Sequence, residues 1–294
     1  MAKLKANRPL DYALVIFFAL LSIITLYPFW HCLVGSLISY GEYMQSTLLL
    51  WPKEFTLDSY RFVFDQGKIF SPMKVTALIT VVGTAVNLMI TSLMAYGMSK
   101  SYPGDKLVSY LVVLTMFVSA GLIPNYMLFR DLKLLNNIWV YIVPSMINTF
   151  YLIILRTNFA NFSKEVEEAA IIDGCSEFGV FFRIVLPLSK PILATIALFT
   201  AVDYWNTYAA SVYYVTDAGK KTLQDYLYML LSDNATNAGG MGASAVGATA
   251  GKSAVFSENI KLANTMIAIL PIMLVYPFLQ KYFTSGIMVG AVKG

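Results

Sequence analysis

Charged residues are scarce in this chain of 294 residues, of which 21 are basic, 17 are acidic and 57% are hydrophobic. The charged fraction is 13%, whereas a soluble globular domain usually carries about 25% to cover its water-facing surface. This balance excludes a soluble enzyme, a nucleic-acid-binding domain and a disordered chain, and it indicates an integral membrane protein. The formal net charge of +4 therefore gives no reason to expect a nucleic-acid partner.

Cysteine and histidine are also rare. The two cysteines, Cys32 and Cys175, are expected on opposite sides of the membrane, so they indicate no disulfide framework. The single histidine, His31, has no metal-ligating neighbours in the sequence, and we interpret it as a residue of the membrane interface. The sequence therefore predicts no metal site in this chain.

Long apolar stretches are what the chain has in abundance. A helix rises 1.5 Å per residue, so about 20 apolar residues cross the hydrocarbon core of a bilayer. The first stretch is too long for a signal peptide and has no small-residue cleavage site, so we predict an uncleaved helix. The sequence predicts an all-α integral membrane protein with six transmembrane helices, at 12–34, 75–98, 107–129, 138–155, 191–215 and 262–280.

The basic residues predict how the chain is oriented. Their numbers are nearly equal on the two sides, but short segments beside the helix ends weigh more than long translocated loops. We therefore predict that both termini lie in the cytoplasm. The predicted organisation is a cytoplasmic N-terminus (1–11), a first transmembrane helix (12–34), an extracytoplasmic loop (35–74), a five-helix core domain (75–283) with a cytoplasmic loop (157–190) and an outer loop (216–261), and a cytoplasmic tail (284–294).

A stretch rich in glycine, alanine and serine, 234–253, predicts a flexible excursion of the outer loop. Within it, 247–253 looks like a nucleotide-binding P-loop, but the spacing is one residue short and no strand precedes it. We therefore predict that any ATP used by this protein is bound by another chain.

Residues 163–187 predict two short amphipathic helices that are too polar to span a membrane. The first is predicted over 164–173, with Gly174 as its stop. The second is predicted over 177–186 and ends at Pro187. Together they form a compact hairpin expected beneath the cytoplasmic membrane surface.

This hairpin contains Glu168-Ala169-Ala170, three residues, Gly174, nine residues, and then Ile184-x-Leu186-Pro187. One interpretation is an ordinary helical hairpin with solvated glutamates. However, every defined position matches the EAA motif, and in this respect the chain resembles ABC importer permeases. The resemblance implies the type I permease fold, with this loop as the coupling helix that docks on an ATPase subunit. The coupling residues it implies are Glu167, Glu168, Ala169, Ala170, Asp173, Gly174, Ile184, Leu186 and Pro187.

From about residue 75 to the end, the chain resembles the carbohydrate-importing branch of this family, to which the maltose-transporter G-type subunit belongs. Within that branch, the sequence most resembles permeases for oligosaccharides and for acidic polysaccharide fragments such as pectin or alginate. The segments that carry this resemblance are Gly121-Leu122-Ile123-Pro124, Pro144, Asp203-Tyr204-Trp205-Asn206, the run 276–283 and the closing residues 290–294.

The resemblance implies one permease subunit of an ATP-driven importer in the bacterial cytoplasmic (inner) membrane, which takes up saccharides by alternating access. It implies four kinds of protein or lipid contact: a second homologous permease, two ATPase subunits that hold ATP and magnesium, an extracytoplasmic solute-binding protein, and membrane lipid. The chain itself is expected to be no enzyme and to bind no cofactor.

Asp203 is the single charged residue in the six stretches, and a carboxylate at membrane depth costs about 2.5–3.5 kcal/mol on insertion scales. A continuous helix would align it with Thr200, Asn206, Thr207, Ala210 and Ser211 on one face. Two interpretations remain open: this face lines the saccharide pathway, or it forms hydrogen-bonded helix contacts. The pathway residues we predict are Asn87, Asn148, Asp203, Tyr204, Trp205, Asn206 and Tyr208.

Two other classes of protein compete with this interpretation. An intramembrane enzyme requires a cluster of acid, base or nucleophile, and the stretches contain one carboxylate without a histidine partner. A stand-alone secondary transporter would use Asp203 to bind a coupling ion. Because no lysine or arginine lies in the stretches, the expectation of an acidic substrate depends on the resemblance alone.

Overall fold

The computed structural model describes residues 8–46, 49–162, 164–237 and 257–291, and within these ranges all regular structure is helical. The helices are α1 (Arg8–Ser36), α2 (Tyr40–Gln45), α3 (Asp58–Gln66), α4 (Phe70–Ser99), α5 (Asp105–Leu114), α6 (Leu122–Asp131), α7 (Trp139–Ile142), α8 (Thr149–Ala160), α9 (Lys164–Ile172), α10 (Glu177–Val180), α11 (Leu186–Leu188), α12 (Lys190–Trp205), α13 (Ala209–Tyr214), α14 (Leu223–Asn237) and α15 (Ser257–Ala291). Short 3₁₀ turns lie at Val143–Ser145 and Ala218–Lys220, and a π-helical segment lies at Phe181–Val185.

Helices long and apolar enough to cross a membrane are found at Asp11–Ser36, Phe70–Ser99 and Glu258–Val275. Two further pairs pass the same test together but are bent, by 47° between Trp139–Ser145 and Thr149–Ala160 and by 81° between Glu177–Leu188 and Lys190–Trp205. The described part of the chain thus has three candidate spans, or up to five if each bent pair is one span. The count of six stays a prediction.

The predicted third span, 107–129, is not one helix. It is divided into α5 and α6 by residues that adopt no helical conformation around Gly121. Gly121 has a φ of 84°, a conformation that side chains disfavour. Pro124 lacks the N–H that a continuous helix would need at that position. Hydropathy alone could not reveal this break, because both halves are apolar.

The chain divides into two compact units, with boundaries at 69/70, 228/229 and 270/271. In the unit that contains α1, the amide group of Asn259 donates to the carbonyls of Gly35 (2.7 Å) and Ile38 (3.0 Å). A Cβ at Gly35 would lie 2.5 Å from a methyl carbon of Leu262. The absence of a side chain at Gly35 is therefore what lets α15 lie so close to α1.

The other unit is built around α4, which packs against α8 and α12. Two apolar clusters occupy it. Near one end of α4, the buried residues are Ala95, Tyr96, Met98, Tyr151, Leu152, Leu155, Phe159, Val180, Phe181, Val185 and Ile196. Near the other end, they are Val75, Ile79, Val140, Tyr141, Ile142 and Val215.

The predicted fifth span, 191–215, is also interrupted. Helix α12 ends at Trp205, and α13 begins at Ala209. The carbonyl of Thr207 accepts a hydrogen bond from the Thr222 hydroxyl (2.8 Å). A contact from a distant segment thus replaces the local helical pattern, and the continuous polar face expected from Thr200 to Ser211 does not exist.

The predicted hairpin is present. Helix α9 ends at Ile172, and Gly174 has a φ of 83°, the left-handed conformation that suits a glycine stop. The second helix differs from the prediction: helical structure continues to Leu188, with π-helical winding at Phe181–Val185. Pro187 lies in the first turn of α11 and does not end the helix. A proline has no N–H to offer the preceding turn, which is where the winding changes.

Candidate functional site

A cavity of about 260 Å³ opens where α4, α8, α12 and the turn between α7 and α8 meet. Both polar and apolar side chains line it. The lining residues are Asn87, Pro144, Ser145, Ile147, Asn148, Tyr151, Thr200, Asp203, Tyr204 and Thr207. It is thus a polar recess within helices whose other surfaces are largely apolar.

Asp203 is the charged group of this cavity, and its side chain is exposed there. The hydroxyl of Tyr151 donates to its Oδ2 atom at 2.8 Å. The hydroxyl of Thr207 donates to its main-chain carbonyl at 3.1 Å. Because Tyr151 engages only one carboxylate oxygen, Asp203 can accept hydrogen bonds from a ligand as well.

Asn87 and Tyr204 line the same cavity but are buried and already bonded within the protein. The amide of Asn87 donates to the carbonyl of Ser145 at 2.9 Å, and the hydroxyl of Tyr204 donates to the same carbonyl at 3.3 Å. Hydroxyls of Thr91 and Thr200 lie 3.5 Å from the Asn87 side-chain oxygen. These residues therefore hold the turn at Ser145 in place.

The structure brings together some of the predicted pathway residues and not others. Asn148 lines the cavity, but its side chain also caps α8 by accepting from the amides of Phe150 and Tyr151. Three predicted residues lie outside the cavity lining: Trp205, Asn206 and Tyr208. The side-chain oxygen of Asn206 accepts a hydrogen bond from the Gln224 amide group at 3.3 Å. The ring of Tyr208 is 4.9 Å from the ring of Tyr228.

Sequence reasoning missed Tyr151, the residue that contacts the Asp203 carboxylate. A tyrosine in an apolar stretch is unremarkable when considered by itself, since its ring suits packing. The signal that could have revealed it is Asn148, three residues earlier. Two polar side chains at this spacing lie on the same side of a helix, and at membrane depth they indicate a polar environment.

The hairpin of α9, α10, the π-helical segment and α11 presents a mixed surface. Among the predicted coupling residues, Glu168, Ala169, Asp173, Gly174 and Pro187 are exposed. Ala170, Ile184 and Leu186 instead pack against the apolar cluster of α4, α8 and α12. They attach the hairpin to the helices behind it.

Exposed apolar side chains, which sequence reasoning did not single out, surround those exposed positions. Ile172 is 85% exposed and Phe178 is 70% exposed. The others are Val166, Ile171 and Phe182. An apolar patch with carboxylates beside it is typical of a surface that another protein covers.

Glu167 lies on the inner side of the hairpin. It forms an ion pair with Lys100, which directly follows α4, and the Lys100 ammonium lies 4.5 Å from the centre of the Tyr96 ring. Burial alone lowers the pKa of Lys100, but the hydrogen bonds to Glu167 and Tyr96 outweigh burial and raise that pKa above its usual value. Lys100 is therefore charged at neutral pH.

Over residues 1–289, the sequence matches the family described as the binding-protein-dependent transport system inner membrane component. The chain belongs to this family. Its members are transport permease subunits and not enzymes, ATP hydrolysis belongs to separate subunits, and the EAA motif with its coupling helix is typical of them. The permease has the all-helical type I fold of the family.

Two relatives from Bacillus subtilis (strain 168) cover almost the whole permease. Protein LplC is 43% identical over 298 residues, which span 100% of this chain and 98% of the relative. The polygalacturonan/rhamnogalacturonan transport system permease protein YtcP is 39% identical over 98% of this chain and 99% of the relative.

Among solved structures, the permease is similar to a chain in the crystal structure of a bacterial ABC transporter involved in the import of the acidic polysaccharide alginate. The TM-score is 0.85 with 27% identity, over 96% of this chain and 99% of that chain. The fold is therefore shared along nearly the entire length.

The described residues contain no group of three or more histidine, cysteine, aspartate or glutamate side chains that could hold a metal ion. The segment 247–253 that looks like a P-loop, and most of the predicted excursion 234–253, lie outside the described residues.

Proposed function

We propose that this chain is one of two permease subunits of a saccharide importer in the bacterial inner membrane, and that Asp203 lines the saccharide pathway. The second subunit is a homologous permease, and two ATPase subunits that bind ATP and magnesium dock on the hairpin of α9–α11. An extracytoplasmic solute-binding protein delivers the saccharide, and alternating access releases it inside. Both termini lie in the cytoplasm.

The observation that carries the proposed pathway is the exposed Asp203 carboxylate in the cavity. A carboxylate at membrane depth is costly unless it faces protein or water. Tyr151 satisfies one oxygen, so hydrogen-bond capacity remains for sugar hydroxyls, and such charge-assisted bonds are strong. Asn87, Asn148 and Tyr204 also line the cavity, and their hydrogen bonds within the protein fix this wall in place.

The proposed ATPase contact is supported by the exposed surface of the hairpin. Glu168 and Asp173 offer carboxylates to basic groups, Ala169 allows close approach, and Ile172 and Phe178 offer apolar area. An interface with an apolar core and a charged rim has this composition. Gly174 gives the turn that presents α9.

The substrate class we propose is oligosaccharides or acidic polysaccharide fragments. It is supported by the similarity of this chain to a polygalacturonan/rhamnogalacturonan permease and to an alginate importer. No lysine or arginine is among the described residues that line the cavity. Two carboxylates about 5 Å apart repel by about 3 kcal/mol at an effective dielectric constant of 20. We therefore propose that sugar hydroxyls face Asp203, and that any uronate carboxylate is oriented toward the other permease.

The test is Asp203→Asn in the complete importer, reconstituted in proteoliposomes with ATP and supplied with radiolabelled oligogalacturonides or neutral oligosaccharides. Loss of a charged acceptor should reduce uptake of the transported sugar by about tenfold or more, while the ATPase subunits still co-purify. Asn206→Ala, which changes an exposed neighbour outside the cavity, is the matched control. Failure of the Asp203→Asn complex to assemble would instead assign Asp203 to helix contacts.

The competing function is a stand-alone secondary transporter with an ion at Asp203. Membership of the binding-protein-dependent family favours the importer. Vesicles that contain this chain alone provide the decisive comparison. Saccharide uptake driven by a sodium or proton gradient, without any ATPase subunit, would contradict the proposed function.

A further inference from the structure

The ion pair between Lys100 and Glu167 connects the hairpin to the longest helix of its unit. Lys100 directly follows the last residue of α4, and Glu167 lies in the first turn of α9. The side chain of Glu167 is 15% exposed and that of Lys100 is 36% exposed. Glu167 thus points toward its own chain, whereas Glu168 beside it is exposed.

Additional contacts fix the same end of α4. The ring of Tyr96, under the Lys100 ammonium, is 5.1 Å from the ring of Phe181 in the hairpin and 6.4 Å from that of Phe159 in α8. The Nε group of Arg156 donates to the carbonyl of Met98 at 2.9 Å. Between α4 and the hairpin, the ion pair thus lies beside a contact of aromatic and aliphatic side chains.

Helix α4 continues from this contact to the cavity without interruption. Asn87 lies 13 residues before Lys100, which corresponds to roughly 20 Å along a helix. At Gly83, one turn further, a Cβ would lie 2.6 Å from a ring carbon of Tyr204. Asn87 on α4 and Tyr204, which contacts Gly83, both line the cavity, so a shift of α4 would displace the cavity wall.

We infer that Lys100 and Glu167 are positioning residues that join the hairpin to α4, so that movement of the hairpin displaces the cavity wall at Asn87 and, through the contact of Gly83, at Tyr204. This inference rests on the proposed function, because it requires an ATPase that moves the hairpin. It assigns Glu167 a role within the permease, and leaves contact with the ATPase to Glu168 and the apolar patch.

The experiment measures whether the hairpin and α4 stay together during ATP turnover. In the complete importer with Cys32→Ser and Cys175→Ser, nitroxide labels on Glu177→Cys and Lys74→Cys report the distance between hairpin and α4 by pulsed electron paramagnetic resonance. Both positions are exposed. Spectra are compared in nucleotide-free and ATP–vanadate states, so the distance measurement needs no saccharide, whereas transport per ATP hydrolysed is measured separately with labelled saccharide.

With the original pair, we expect one distance that is the same in both states. Lys100→Glu or Glu167→Lys should broaden or shift the distance in the ATP–vanadate state, and should lower transport per ATP hydrolysed by about tenfold. The exchanged double variant, Lys100→Glu with Glu167→Lys, should restore both the distance between the labels and the transport per ATP hydrolysed. Lys100→Arg should preserve them, because it retains the charge.

Two matched controls separate this role from others. Lys106→Glu changes an exposed charge in α5 and should leave the distance unchanged. Glu168→Lys should weaken co-purification of the ATPase subunits without changing the distance. Unchanged distances in both single variants, or no recovery in the exchanged variant, would overturn the inference. Absence of ATP turnover in the unaltered complex would instead contradict the proposed function.

Discussion

The two ends of α4 are held in different ways. At the Lys100 end, one partly exposed ion pair and a group of aromatic rings connect α4 to the hairpin. At the Thr76 end, the Thr76 hydroxyl accepts from the amide of Leu223 at 2.8 Å, within a buried hydrogen-bonded network of 207–225. One rigid helix is thus held by a buried polar network at one end, and by aromatic contacts with a partly exposed ion pair at the other.

The buried network has Asp225 at its centre. Its Oδ2 atom accepts from the hydroxyl of Ser211 at 2.7 Å and pairs with Lys221 at 3.0 Å. The hydroxyl of Tyr141 bonds both Ser211 (3.2 Å) and the carbonyl of Lys220 (2.9 Å). Because buried polar groups are costly to leave unpaired, this network resists opening. A partly exposed ion pair such as that of Lys100 and Glu167 resists opening much less.

The largest effect is expected from breaking the anchor with Asp225→Ala. Removing one partner of a buried ion pair typically costs about 3–5 kcal/mol, since Lys221 and Ser211 lose their acceptor. Thermal unfolding of the detergent-solubilised permease should show a clearly lower Tm. A Tm equal to that of the unaltered protein would show that the network adds little, and that both ends of α4 are equally weakly held.

A smaller effect is expected in the middle of α4, from Gly83→Ala. The new Cβ would lie 2.6–2.8 Å from ring carbons of Tyr204, and overpacking of this kind costs about 1–3 kcal/mol. We expect a lower Tm and reduced saccharide uptake, because Tyr204 must leave the carbonyl of Ser145. Gly97→Ala is the control on the same helix, since its Cβ would meet nothing within 4 Å. Equal behaviour of the two variants would contradict the close packing at Gly83.

At the hairpin, Gly174→Asp tests the turn beyond the joint. A Cβ there meets nothing within 4 Å, so the cost comes from the φ of 83° and amounts to about 1–2 kcal/mol. We expect normal membrane insertion but loss of transport and of ATPase co-purification. Gly174→Asn is the control, because asparagine has the size of aspartate and a similar tolerance of this conformation but carries no charge. Undiminished transport by Gly174→Asp would contradict the assigned role of the hairpin.

The smallest effect is expected from Asp217→Asn, at the edge of the anchored segment. The backbone amide of Gly219 and then the ammonium of Lys220 hold the pKa of Asp217 below its usual value of 3.8. Its contribution to stability is therefore present above pH 3.8 and is lost as the pH falls through the lowered pKa. The Tm difference between this variant and the unaltered protein should be slight at pH 7 and should vanish in acid. A difference as large as that of Asp225→Ala would mean that exposed and buried acids contribute alike.

Part of the site could be predicted from the sequence because its signals are local. Asp203 stands out as a charge in an apolar stretch, and Gly174 and Ser176 mark the end of one helix and the start of the next. The breaks at 115–121 and 206–208 could not be predicted in this way. Hydropathy measures how well a stretch suits lipid. It does not report where polar groups from elsewhere in the chain form hydrogen bonds with backbone groups in place of the helical ones.

The amino-acid sequence by itself determined the membrane class, the helical hairpin and the position of the charged residue in the cavity, because composition, capping and helix breakers act between near neighbours. Only the tertiary structure decided that Tyr151 pairs with Asp203 and that Glu167 turns toward Lys100, over separations of 52 and 67 residues. Such contacts depend on which helix faces pack together. A difference of one position along α9, between Glu167 and Glu168, therefore decides whether a carboxylate pairs within its own chain or is exposed.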